Sequence, residues 1–471
     1  MKSTFLIALS TTLLFILGST ASVSADRPNI LVILVDDLRW DEIACAGHPF
    51  VRTPGIDRIA QEGARFRNAF CTTPLCSPAR ANLLTGQYTH RHGIANNTNR
   101  SEQSHQLMTF PRILHENGYE TGYIGKWHMG NDDTPRPGFD YWACMAGQGT
   151  SFDPILNENG RHIQSTGHTT DVLNDRAVRF VRRERKKPFC LYLSHKALHP
   201  ELIQFDDGSV SDPSGSKFLP AERHKQLYAN APIPRRINVT DTPEDKPALN
   251  RKIMGLPLLS QDTGTGDETI LARLRMLAAV DEGVQQLFIA LEETGQLDTT
   301  VILLLSDHGY WNGEHGLSVE RRLAYEEGIR IPFLARFPPV INPGILIDEF
   351  ALSIDLAPTL LDLANVETKH TMDGRSLAGL LKGMVMDDWR SSFLIEYQTD
   401  NVHPRLLNMG YKALRTTRYK FIQYNELEGM DELYDLKSDP YEMQNCINDP
   451  NLQTRLRQLK DELALLSGDK S

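Results

Sequence analysis

The stretch Asn29-Ile30-Leu31-Val32-Ile33-Leu34-Val35 is an unbroken aliphatic run that stops at Asp36-Asp37. A strand with one wet face alternates apolar and polar residues, so an unbroken run predicts a strand buried on both faces. Phe189 to Ser194 and Thr299 to Ser306 repeat the pattern, the second ending in Asp307-His308, and Tyr119 to Ile124 predicts a further strand. Between them the apolar spacing becomes helical. Helices are predicted over Ile56 to Glu62, introduced by Thr53-Pro54-Gly55 and closed by Gly63, and over Ser77 to Thr85. Others follow over Phe110 to Asn117, closed by Gly118, over Asp171 to Arg185, and over Leu271 to Glu293, the longest. Strands alternating with helices specify an α/β fold with a large, mostly parallel sheet and helices on both faces. Ligands of such sheets collect beyond the carboxyl ends of the strands, where the polar residues of this chain stand.

Three other regions read differently. The stretch from about Glu201 to Gly266 is rich in Pro, Gly, Asp and Ser and predicts a long surface excursion near the site. After Gly374 the pattern changes: Tyr411 to Tyr424 alternates like a hairpin, Glu432 to Asp435 is a short strand, and Leu452 to Leu466 is an amphipathic helix. We therefore expect a main domain over 26–374 and a smaller C-terminal α+β subdomain with a short antiparallel sheet over 375–471. No internal repeat is present. At the start, Lys2, the apolar run from Phe5 to Gly18 and the small residues Val23-Ser24-Ala25 have the three parts of a secretory signal over 1–25. The alternative there is an N-terminal anchor. No later stretch approaches the ~18 uninterrupted apolar residues of a membrane span. The expectation is an exported protein, periplasmic or extracellular.

The chain has 471 residues, 40% hydrophobic, enough for a large core. Its net charge of −10 argues against non-specific nucleic-acid binding, which needs an excess of Lys and Arg. Six cysteines (Cys45, Cys71, Cys76, Cys144, Cys190 and Cys446) invite disulfides in an oxidising compartment, but six are sparse and a domain this large needs no staples; Cys71 and Cys76 can pair in principle, although the residues around Cys76 suggest another use. No CxxC pair suggests zinc.

Two features carry chemistry. Asp36-Asp37 and Asp307 put carboxylates at strand ends far apart in the chain, and hard cations such as Ca²⁺ or Mg²⁺ take oxygen ligands from separate loops. A turn or helix cap is the other reading of an Asp-Asp pair. In Cys76-Ser77-Pro78-Ala79-Arg80, Pro78 suits a first helical turn, which sets Cys76 at a helix N-terminus with Arg80 one turn on. Free N–H groups and that charge suit an anionic substrate. A buried structural Cys is the plainer alternative.

Cys76-x-Pro78-x-Arg80, followed by Leu84-Thr85-Gly86, resembles the signature of the type I sulfatases. Their second signature is matched by Gly118-Tyr119-Glu120-Thr121-Gly122-Tyr123-Ile124-Gly125-Lys126-Trp127-His128. With the Asp-bearing strand ends in the family's order, the resemblance runs from about Pro28 to the C-terminal region. It implies an alkaline phosphatase-like fold and oxidation of Cys76 to formylglycine by a formylglycine-generating or equivalent maturase. An aldehyde hydrate offers one hydroxyl to attack sulfur and a second whose deprotonation expels sulfate. Five cysteines would then remain, so at least one is unpaired.

The resemblance also implies site roles. Asp36, Asp37, Asp307 and His308 would hold one Ca²⁺ that touches the converted Cys76; a hydrogen bond to Asp307 is the other role for His308. Arg80 and Lys126 would stabilise charge on the sulfuryl group, and His128 would take the proton of the second hydroxyl. His199 in Ser194-His195-Lys196-Ala197-Leu198-His199-Pro200 matches the acid that protonates the leaving group, while His195 is either structural or substrate-facing. The family usually has Lys four residues before the Tyr of a Tyr-Glu segment, where this chain has Arg321 ahead of Tyr325-Glu326. Arg binds sulfate bidentately but is a poor proton donor, which shifts the acid role to His199. Arg322 adds positive charge for substrate.

The implied activity is a secreted sulfate-ester hydrolase acting on a sulfated glycan. The run from Tyr411 to Arg415 and on to Leu436 is similar to glycan-directed members, including glucosamine 6-sulfatases. Two alternatives are a phosphonate or phosphodiester hydrolase of the same superfamily, and a non-catalytic Ca²⁺-dependent glycan-binding protein in which Cys76 stays a thiol.

Overall fold

The computed structural model describes residues 27–239, 244–400 and 402–468. The leader expected over 1–25 lies outside them, and no helix of the described residues is long and apolar enough to cross a membrane. The strands of the first half are β1 (Asn29–Val35), β2 (Ala64–Phe66), β3 (Ala69–Phe70), β4 (Glu120–Lys126), β5 (Tyr141–Met145), β6 (Ile155–Glu158), β7 (Arg161–Gln164) and β8 (Phe189–Ser194). Those of the second half are β9 (Thr300–Ser306), β10 (Phe333–Arg336), β11 (Ile345–Ile347), β12 (Ala351–Leu352), β13 (Ser392–Tyr397), β14 (Tyr411–Thr416), β15 (Tyr419–Tyr424) and β16 (Glu432–Asp435).

Ten of these form one sheet in the order β11-β2-β10-β9-β1-β8-β4-β5-β6-β7. Its centre, β9-β1-β8-β4-β5, is parallel, and β10 and β6 add antiparallel flanks, so the sheet is mixed and mostly parallel. The register matters for function. Leu34 lies opposite Ser194 and Leu305, and Gly125 lies opposite Ser194. The four neighbours β9, β1, β8 and β4 therefore finish at one level, and the loops that follow them emerge side by side.

Burial on both faces explains the unbroken aliphatic run of β1. Ile30, Val32 and Leu34 enter one core with Leu83, Leu114 and Leu360, whereas Leu31, Ile33 and Val35 enter another with Phe180, Leu277 and Val284. Each such side chain contributes about 1.5–3 kcal/mol of burial. The helices Thr169–Val181 and Asp267–Glu293 cover the second face. Gly125 has φ +114, and a Cβ there would lie 1.9 Å from the carbonyl oxygen of Ser194, so only glycine lets β4 approach β8 just before Lys126.

The expected C-terminal hairpin and short strand belong to a separate four-stranded antiparallel sheet, β13-β14-β15-β16. One face (Phe393, Ile395, Ala413, Ile422) merges with the main core, and the other packs on the helix Gln453–Ser467 through Leu456, Leu459 and Leu463.

The six cysteines, too sparse for a domain of this size to depend on disulfides, are all free. Cys71 Sγ faces the Gly328 carbonyl and Cys76 Sγ faces His308, so the two thiols have different neighbours. The helix expected to reach Arg185 stops at Val181, where Arg185 Nη1 donates to the Val181 carbonyl at 3.2 Å and caps it.

Burial holds His92, His195 and His403 down to about 3, so all three are neutral in the fold. In the unfolded chain they titrate near 6.5, and the unfolded state binds more protons between these limits. Stability present above about pH 6.5 is therefore lost as pH falls towards 3, by about 1.4 kcal/mol per pH unit for each histidine. Urea unfolding near pH 7 and near pH 5 is expected to give a lower midpoint at the acidic value, and His195→Gln to flatten that dependence.

Candidate active site

The aligned strand ends supply the polar groups. Asp36 and Asp37 follow β1, Asp307 and His308 follow β9, Lys126 closes β4, and Ser194 closes β8. All are at most 0–1% exposed. Asp37 (φ 60) and His128 (φ 58) hold left-handed backbone, a costly conformation that persists where surrounding structure imposes it, as it does at functional sites. The helix Cys76–Thr85 begins with Cys76, and its first N–H groups meet this level; Asn97 Oδ1 accepts from Ser77 N at 3.0 Å.

Asp36, Cys76, Asp307 and His308 each present a ligand atom within 4.8 Å of the others, all buried. Asp37 lies beside them: its N–H donates to Asp307 Oδ1 at 3.2 Å, and its Oδ1 is 3.4 Å from His308 Nδ1. Asp36 Oδ1, Asp37 Oδ1 and Asp307 Oδ2 are buried without a hydrogen bond. Such carboxylate oxygens are costly unless a cation completes them. These oxygens fit a hard divalent cation.

Three cations balance the three carboxylates. Arg80 Nη1 donates to the Lys126 carbonyl at 2.7 Å and to Ser194 Oγ at 2.8 Å, while Nη2 lies 3.2 Å from Asp36 Oδ2 and 3.1 Å from Asp307 Oδ2. Lys126 Nζ pairs with Asp36 Oδ2. Arg321 Nη1 donates to Asp37 Oδ2 at 2.6 Å. Burial opposes the charge of Arg80, but Asp36 and Asp307 outweigh it and raise its pKa; burial opposes that of Arg321 too, and Asp37 outweighs it. For His308 burial again works against the proton, yet Asp307, Cys76 and Asp37 push it up to about 9 in the absence of a metal.

The other histidines differ. His128 Nε2 lies 2.5 Å from Gln204 Oε1, which fixes Nε2 as the donor and leaves Nδ1 with a buried, unpartnered lone pair. His199 Nδ1 donates to the Pro200 carbonyl at 2.9 Å, and its Nε2 lies 3.5 Å from Arg321 Nη2. Burial first, then Lys126 in both, holds the two rings well below the usual histidine range. Among the described contacts His195 touches none of this cluster: it is fully buried, both ring nitrogens lack partners, and its charged neighbours are His168 and Asp171. Arg322 is held by Asp400 at 2.7 Å and lines a pocket shared with His199, Gln204, Arg321 and His403.

A family model described as Sulfatase matches residues 28–366, well over half of the chain. The chain belongs to the sulfatase family. A second model, described as N-sulphoglucosamine sulphohydrolase, C-terminal, matches residues 313–469 of this sulfatase. Over 98% of its length the chain is 30% identical to an N-acetylglucosamine-6-O-sulfatase of Bacteroides thetaiotaomicron, covering 90% of that protein. The human N-acetylglucosamine-6-sulfatase is 29% identical over 93% of the chain and 86% of its own length. A structure solved in complex with its substrate D-glucosamine-2-N,6-O-disulfate superposes with a TM-score of 0.80 at 29% identity, covering 93% of this chain and 97% of that one. The phosphonate monoester hydrolase of Agrobacterium radiobacter shares the fold, with a TM-score of 0.74 at 21% identity over 94% and 96% of the two chains. The sulfatase is a sulfuric ester hydrolase.

Several polar residues around Cys76 in this sulfatase carried no signal in the sequence. Gln204 comes from the long excursion after Glu201 and binds His128, with Gln148 Nε2 donating to the same oxygen at 2.9 Å. Ser194 anchors Arg80 from the end of β8. Lys196 Nζ donates to the Pro200 carbonyl at 2.8 Å, and burial lowers it to about 8. Each is one polar residue in a loop or at a strand end, with no spacing to mark it.

Proposed function

We propose that this sulfatase hydrolyses sulfate monoesters on a carbohydrate, with 6-O-sulfated glucosamine as the first candidate, after export and conversion of Cys76 to formylglycine. One observation carries the reading: three buried carboxylates and three buried cations converge on Cys76 in a chain similar, almost end to end, to N-acetylglucosamine-6-sulfatases. Asp36, Asp37, Asp307 and His308 would hold Ca²⁺, whose oxygen preference matches three carboxylates. A divalent cation held there would supply positive charge to a sulfuryl oxygen. The hydrated aldehyde supplies two hydroxyls on one carbon, one to accept the sulfuryl group and one to release it.

The chain's own groups do the remaining work. Arg80 and Lys126, fixed by Asp36, Asp307 and Ser194, meet negative charge on the sulfuryl oxygens without reorganising. His128, neutral and with Nδ1 free, accepts a proton. As the bond between sulfur and the sugar oxygen breaks, its electron pair stays on that oxygen, which takes a proton from His199 Nε2. The resting ring is neutral because burial and the cations Lys126, Arg321 and Lys196 oppose its proton. An incoming sulfate anion offsets those cations, and Nε2, which carries no proton in the resting ring, takes one from solvent as the substrate enters and passes it to the leaving oxygen. Arg321, always charged, grips the anion and orients His199.

The test is release of inorganic sulfate from N-acetylglucosamine 6-sulfate and glucosamine disulfate by calcium-loaded protein shown to carry the aldehyde. Faster hydrolysis of a nitrophenyl phosphonate monoester than of any sulfate offered would reverse the reading. For His199→Ala we expect a loss of about 10²–10³-fold on sugar sulfates but under about tenfold on nitrophenyl sulfate, whose phenolate leaves without an acid. Equal losses on both would remove His199 from the acid role.

A further inference from the structure

At the opposite end of the sheet from Cys76, six cations surround a cavity of about 780 Å³: Arg27, Arg182, Arg183, Arg185, Lys186 and Lys187. Its floor is Asn29, Pro188 and Thr299, at the amino ends of β1, β8 and β9. Glu184 is the one carboxylate in the lining. We infer that this basic cavity is a second binding site, which anchors sulfated polysaccharide away from the catalytic centre.

Helix capping accounts for only part of the cluster. Both long helices end beside the cavity, and cations there meet the negative ends of the helix dipoles. Arg185 caps Val181 and pairs with Glu120 at 3.2 Å, and Arg182 pairs with Glu293 at 2.7 Å. These two are occupied. Arg27, Arg183, Lys186 and Lys187 have no carboxylate partner among the described residues, and all four are exposed. Arg27 lies 5.1 Å from the Tyr119 centroid and donates from Nη2 to the Asn117 carbonyl, and Arg183 lies 4.4 Å from the Tyr141 centroid. In a chain of net charge −10, four cations without a carboxylate partner around one concavity form a local anion trap.

The shape and charge choose the ligand. A concave site admits a saccharide chain but not the flat face of a bilayer. Guanidinium forks grip sulfate and carboxylate groups bidentately. The choice of a sulfated polysaccharide rests on the carbohydrate reading above. Seven residues of β1 separate the cavity from Asp36, about 20 Å. The site therefore holds polymer near the enzyme and is not a subsite for the sugar being desulfated.

The probe is dextran sulfate, with unsulfated dextran, duplex DNA and vesicles of equimolar phosphatidylcholine and phosphatidylserine as comparisons. Binding is measured on Cys76→Ala protein, so that it is read without turnover and its failure is separable from an absence of sulfatase activity. We expect salt-sensitive binding of dextran sulfate in preference to all three comparisons. Adding Arg183→Glu, Lys186→Glu and Lys187→Glu is expected to weaken it about tenfold or more. The neutral pair Lys186→Gln and Lys187→Gln, which perturbs the fold less, is expected to weaken it in the same direction. With Cys76 intact, the triple variant keeps kcat/KM on a monosaccharide sulfate within about twofold, since these residues touch nothing at the catalytic end. Unchanged binding in both variants, or equal or tighter binding of DNA or vesicles by the starting protein, would overturn the inference.

Discussion

Cys76→Ala abolishes sulfate release, by on the order of 10⁴-fold or more, and Cys76→Ser does nearly the same, with the fold intact in both. The size follows from what the residue supplies: it is the source of the acceptor oxygen and of the hydroxyl that clears it, so no neighbour substitutes. Serine retains an attacking hydroxyl but has only one on that carbon, so its ester has no internal route of release. Its expected behaviour is at most a single turnover, visible as a stoichiometric burst without a steady state. The fold should tolerate either change. Cys76 opens a helix whose first N–H groups are met by groups other than its side chain, such as Ser77 N by Asn97 Oδ1 at 3.0 Å and Ala79 N by the Leu75 carbonyl at 2.9 Å, and its Sγ hydrogen-bonds to His308 Nε2 at 3.5 Å. Unfolding midpoints within about 1 kcal/mol of the parent are expected, as both replacements shrink the side chain by little. Mass spectrometry of the Cys76 peptide in the parent protein makes the comparison meaningful. Full activity from protein whose Cys76 is an unmodified thiol would sink the assignment, and so would multiple turnovers by Cys76→Ser.

How far the chain announced this site depended on what each residue must do. The central strands β1, β8 and β9 were legible because burial on both faces removes polar positions, and their carboxyl ends were legible because Asp36 and Asp307 interrupt that run. The helix Cys76–Thr85 has all ten residues buried, so it has no amphipathic stripe to read. Its start showed instead, through Pro78 in the first turn, while Gly86, with φ of 70, closes the helix at its other end. Strands such as β2, β3 and β11 have two or three residues, too few for any period, and pairing across the sheet decides them. Arg321 was placed by Tyr325-Glu326, but its contact with Asp37 joins positions 284 apart and left no trace in spacing. The thiols said little about pairing: six in a chain of this length are too few to require disulfides, and all six are free.

Asp307→Asn is expected to lose both calcium and activity, the latter by about 10³-fold or more. The substitution preserves shape and removes one charge from the balanced set of three carboxylates and three cations. Asp307 Oδ1 accepts from Asp37 N at 3.2 Å and from His308 N at 3.0 Å, and an asparagine carbonyl keeps both bonds. The change falls on Oδ2, which makes no hydrogen bond and lies 3.1 Å from Arg80 Nη2. There an amide nitrogen would confront a guanidinium, donor against donor, and one anionic oxygen would be absent from the cation's set. Elemental analysis of dialysed protein separates the outcomes: about one calcium per chain in the parent and far less in the variant. Calcium should raise the thermal midpoint of the parent, since a ligand that binds only the folded state stabilises it, and leave the variant's unmoved. Chelation of the parent should abolish activity, and added calcium should restore it; the variant should not recover. A variant that keeps its calcium but not its activity would take Asp307 out of the cation's ligands and leave it the task of fixing Arg80.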